Sequence, residues 1–125
     1  MRFTRTPLLT LVFALAFLSV APSASADTTI PGANITVDTV WSPAGGTYII
    51  TSSVAVADGA TLTILPGTVV KMNLGQYFFV DGTLTLGGVG GDLVTITSIK
   101  DDSVGGDTNG DGSASAPAAG EWGSI

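Results

Sequence analysis

Along residues 47–98, apolar residues come in pairs separated by one position. Val54/Val56, Leu62/Ile64, Val70/Met72 and Phe78/Val80 follow one another in steps of eight residues. In an extended chain the two members of such a pair face the same side. Turn-forming residues fill the gaps: Asp58-Gly59, Pro66-Gly67 and Asn73-Leu74-Gly75. This alternation predicts short strands joined by tight turns. After Ala26 no segment repeats its apolar residues at the 3, 4 and 7 offsets of an amphipathic helix, so helix is expected to be essentially absent.

The pairs also recur at longer range. Val54/Val56 return as Phe78/Val80 and Val70/Met72 as Val94/Ile96, each 24 residues later, while Leu62/Ile64 return as Leu84/Leu86 after 22. The text repeats with them, since Asp58-Gly59-Ala60-Thr61-Leu62-Thr63-Ile64 resembles Asp81-Gly82-Thr83-Leu84-Thr85-Leu86. A unit of this length that repeats its register predicts an all-β parallel solenoid, each apolar pair packing on its equivalent in the next coil. Thr61, Thr63, Thr83, Thr85 and Lys71 take the outward positions. An antiparallel sandwich with hairpin turns shares the strand-and-turn pattern, but register carried from copy to copy favours the solenoid.

Upstream, Ile35-Thr36-Val37 and Thr47-Tyr48-Ile49-Ile50 read as strands able to cover the first coil. Trp41, Pro43 and Tyr48 supply bulk to plug that end, and Trp41 has a second reading as a sugar platform. Three parts are therefore expected: a leader at 1–26, a lead-in or cap at 27–46, and coils from 47 to 125 with an acidic, Gly-rich loop at 101–121. The last residues, Gly120-Glu121-Trp122-Gly123-Ser124-Ile125, read as the start of another apolar element, so a truncated protein is expected.

The leader reads as a cleavable secretory signal. Arg2 and Arg5 precede the apolar run Leu8–Val20, and Ala24-Ser25-Ala26 is a small-x-small cleavage site. An uncleaved anchor is the competing reading, although the run is short for a span of about 20 residues. Removal of the leader leaves Lys71 and Lys100 against ten carboxylates, a net charge of −8. That charge argues against nucleic acid or an anionic membrane surface as partner, and no later segment is apolar enough to span a membrane. With no cysteine in the chain, an extracellular disulfide scaffold is excluded.

Thr61-Leu62-Thr63-Ile64-Leu65-Pro66-Gly67-Thr68-Val69-Val70-Lys71 is similar to an early coil of the right-handed parallel β-helix proteins of the pectin-lyase-like superfamily. Val80-Asp81-Gly82-Thr83-Leu84, Val94-Thr95-Ile96-Thr97-Ser98 and Gly120–Ile125 resemble later text of the same kind. The likeness covers roughly residues 47–125 and is greatest to large bacterial secreted or surface proteins. It implies a right-handed parallel β-helix; it does not choose among lyases, glycosidases, adhesins and scaffolds.

Beyond the leader there is no His, Cys or Arg. Ser-His-Asp and Cys-His catalysis and histidine metal sites are thereby excluded. The resemblance implies a basic proton acceptor beside a calcium-carboxylate cluster in lyase members, and neither Lys71 nor Lys100 sits in such a motif. Asp101-Asp102 are adjacent in a turn-rich loop and read more readily as solvated charges than as a glycosidase pair. One constellation stands out, Asp107-Thr108-Asn109-Gly110-Asp111-Gly112. Oxygen-bearing side chains at Asp107, Asn109 and Asp111 occupy positions 1, 3 and 5 of a calcium loop, and glycine occupies position 6. Position 12 is Ala118, Glu121 falls three residues too late, and Asp101 or Asp102 is available to fold back as the missing ligand. A flexible acidic insertion is the competing reading. Ser113–Gly120 reads as linker. The expected protein is a non-catalytic extracellular or cell-surface scaffold or adhesion module, with polysaccharide or another surface protein as partner. The alternative is the leading part of a polysaccharide lyase or glycosidase whose active site lies beyond residue 125.

Overall fold

The computed structural model describes residues 25–87 and 91–125, so residues 1–24 of the expected leader lie outside the described residues. Eight strands follow in order: β1 (Thr28–Ile35), β2 (Thr39–Trp41), β3 (Tyr48–Val56), β4 (Thr61–Ile64), β5 (Val69–Met72), β6 (Phe78–Val80), β7 (Thr83–Leu86) and β8 (Thr95–Ser98). Among the described residues a single 3-10 turn, Pro43–Gly45, interrupts them. Every strand pair is parallel. One sheet runs β1-β3-β5-β8, with β6 also on β3, and the other runs β2-β4-β7. The chain is a parallel β-solenoid of about three turns.

The repeat read from the sequence is the register of the sheets at two of its three places. Val54 pairs with Phe78 and Val56 with Val80; Leu62 pairs with Leu84 and Ile64 with Leu86. At the third the structure differs. Val70 lies beside Ile96 and Met72 beside Ser98, two residues later than the expected Val94 and Ile96. A shift of two residues preserves which side chains face inward, because side chains alternate with a period of two. The connection from β7 to β8 absorbs the extra length, and its size is not encoded in strand alternation.

The expected cap also takes a more regular form. β1 and β2 are strands of the same two sheets, with Thr28 beside Tyr48 and Trp41 beside Ile64. β1 is an edge strand whose register slips between Ile30 and Pro31, an edge position being where a residue without an N–H is tolerated.

Inside the coils the apolar partners stack as ladders: Ile30 on Ile50 on Met72, and Ala33 on Val54 on Phe78. Ile50, Val54, Val56, Leu62, Ile64, Val70 and Met72 are completely buried. Trp41 is buried too, stacked on Tyr48 with ring centroids 4.8 Å apart and edge-on to Phe78 at 6.0 Å, so it plugs the coil. Corners are tight enough to demand glycine at Gly82, where a Cβ would come within 2.2 Å of the Ala57 carbonyl oxygen and 2.4 Å of that of Ala60.

Candidate functional site

The acidic loop begins where β8 ends and folds back over the outer face of the β1-β3-β5-β8 sheet. Two outward side chains hold its first residues. Thr97 and Lys71 are register partners on adjacent strands. Thr97 Oγ1 donates to Asp101 Oδ2 at 2.8 Å, and Lys71 Nζ donates to the carbonyl oxygen of Gly106. Lys71 is outward-facing, as expected, but it is not in solvent: its exposure is 0 %. The loop covers it. Gly105 rests against Thr47 and the Lys71 stem with φ +65°.

Asp101 ties the start of the loop to β8. It accepts from Ser103 N at 3.1 Å and from the Ser103 hydroxyl. These Ser103 bonds and the Thr97 bond hold its carboxyl below the usual aspartate range.

Asp107 and Asp111 then close a small turn. Asp107 Oδ1 accepts from Gly110 N at 2.7 Å and Asp111 N at 3.1 Å, and its Oδ2 accepts from Gly112 N at 2.8 Å. Asp111 Oδ1 accepts from Ser113 N at 3.0 Å and Ala114 N at 2.9 Å. Its Oδ2 accepts from Asn109 Nδ2 at 2.9 Å and from Ser115 Oγ. The Ser115 hydroxyl first, then the Ala114 and Ser113 amides, lowers the Asp111 carboxyl. Gly110 and Gly112 adopt φ +72° and +63°, a backbone form that costs glycine little.

Asp102 completes the group. One oxygen each from Asp102, Asp107 and Asp111 lies within 4.8 Å of the other two. Two oxygens bound to one Ca²⁺ at about 2.3–2.6 Å can be no more than about 5 Å apart, so this spacing is within reach of a single ion. Three hard carboxylates also suit that ion chemically. Asp102 Oδ1 is buried with no hydrogen-bond partner, as is Thr108 Oγ1, which is where a further partner is missing. Asn109 differs from the expected ligand. It turns Nδ2, a donor, toward Asp111, so its amide must rotate before Oδ1 could meet a cation.

Glu121 is brought to a different place. Lys100 Nζ donates to its Oε1 at 2.5 Å and Ser98 Oγ to its Oε2 at 2.6 Å. The Lys100 bond first and the Ser98 bond second hold its carboxyl at about 2, against an ordinary 4.5. This clamp fixes the last residues against the third coil, where Gly123 N donates to Gln76 O at 2.7 Å and Trp122 packs on the core. No pattern in the sequence marks it, because the partners are separated by a loop that carries no register.

Between the loop and the outer sheet face lies a groove of ≈ 570 Å³, walled by Thr108 and Asn109 on one side and by Ile49, Thr51, Leu74 and Ile99 on the other. Among the described residues no helix is long and apolar enough to cross a membrane. No family model matches the chain, and no curated protein or solved structure matches it either.

Proposed function

We propose that the chain is a non-catalytic extracellular scaffold or adhesion module, a right-handed parallel β-helix of the pectin-lyase-like kind. In this reading stacked coils supply a stiff support, and the acidic loop across their outer face supplies the contact surface. Calcium held by Asp102, Asp107 and Asp111, with Asn109 turned to offer its oxygen, would stiffen that surface. The observation that carries the reading is the convergence of the three carboxylates beside the orphaned Asp102 Oδ1. Polysaccharide or another surface protein is the partner class, and the net negative charge disfavours nucleic acid.

Thermal unfolding tests the calcium half. At an affinity of about 10⁻⁴–10⁻³ M, common for extracellular calcium modules, about 10 mM Ca²⁺ stabilises by roughly 1.4–2.7 kcal/mol. Tm should rise by several degrees, and D107A with D111A should abolish the rise. An unchanged Tm in the parent chain would overturn the site. For the adhesion half, labelled chain should bind cell-envelope preparations more in Ca²⁺ than in EGTA. Equal binding by the parent and the double variant would contradict the role given to the loop.

A further inference from the structure

Lys71 is a cation buried where the sheet alone would leave it in water. Its neighbours across the outer face are Ile49 and Thr97, its exposure is 0 %, and among the described residues it forms no ion pair. Burying an ammonium is costly unless it is hydrogen-bonded and electrostatically compensated. Two things meet that need here. Gly106 supplies a carbonyl, and the covering segment carries Asp101, Asp102, Asp107 and Asp111 with no Lys or Arg from 101 to 120.

The fit of the covering backbone is close. A Cβ on Gly105 would lie 2.6 Å from Thr47 Oγ1 and 3.4 Å from Lys71 Cε, so glycine lets the chain lie down against Thr47 and the Lys71 stem.

We infer that Lys71 is a latch, an internal counter-cation that holds the acidic loop against the solenoid without metal. The loop is then ordered before any cation arrives. Calcium would stiffen a loop already docked. When Lys71 is replaced by an uncharged residue of similar length, the loop loses that hold on the sheet. The latch does not rest on the calcium reading above.

Backbone ¹⁵N relaxation of the chain, in EGTA and in millimolar Ca²⁺, tests the latch with K71M and K71Q. Native Gly105, Gly106 and Thr108 should show order parameters of about 0.85 in both conditions, and K71M should fall below about 0.6 in EGTA. Recovery of K71M in Ca²⁺ supports both latch and calcium site. Loosening without recovery supports the latch as well, because Asp102, Asp107 and Asp111 all lie within the loop and give calcium no hold on the sheet. Native order of K71M in EGTA overturns the latch, as does a native loop that is mobile without metal. If K71M fails to fold, K71Q decides in its place, because it removes the charge and keeps a donor for the Gly106 carbonyl: loosening supports the latch and native order overturns it.

Discussion

At the scale of single residues, alternation sorts neighbours into different roles. Leu62 is completely buried, in register between Thr39 of β2 and Leu84 of β7, while Thr63 faces outward on the same strand. Leu62→Ala should lower stability in urea denaturation by about 2–5 kcal/mol through lost burial and a cavity. Thr63→Ala should cost under about 1 kcal/mol, its share being strand preference alone. Equal losses would contradict the assignment of faces. This division was legible in the sequence because it depends only on a two-residue period. The burial of Lys71 was not. An outward position says which way a side chain leaves its sheet, and what lies over it is decided by a loop more than thirty positions away. A lone lysine within Val69-Val70-Lys71-Met72, ahead of an acidic stretch, was the only signal.

Among elements, strands were readable and the lengths between them were not. β4 and β7 share the text that makes their pairing visible, and β3 with β6 keeps the same interval. β1 was largely hidden because Pro31 and Gly32 interrupt its pattern, which an edge strand with a slipped register tolerates. The site shows the same division. Asp107 and Asp111 were marked by spacing, whereas it is the path of the loop that brings Asp102 to them and turns Asp101 toward Thr97 and Ser103. The clamp joining the final segment to β8 has a pH consequence. Glu121 is lowered when folded, so its contribution is fully present above about 4.5 and is lost as pH falls toward about 2. Acid unfolding should steepen across that window, and E121Q should flatten it. A parent and variant with the same pH profile would show that the clamp contributes nothing.

For the whole molecule, everything depends on coils stacking in parallel. The inward ladders, the outer row of Ile49, Lys71 and Thr97, and the loop that rests on it all follow from strands related by one full turn of the chain. Because the chain has no cysteine, paired cysteines can read that arrangement without interference. Parallel register sets Thr61 beside Thr83 and Thr63 beside Thr85. An antiparallel pairing of the same strands about Leu62 and Leu84 would set Thr61 beside Thr85 instead. A disulfide needs Cα atoms about 4.4–6.8 Å apart; neighbouring strands supply about 4.8 Å, and a two-residue offset adds about 6.6 Å along the strand. Under mild oxidation T61C/T83C should cross-link readily and T61C/T85C should remain reduced. Cross-linking of T61C/T85C in preference to T61C/T83C would contradict the solenoid.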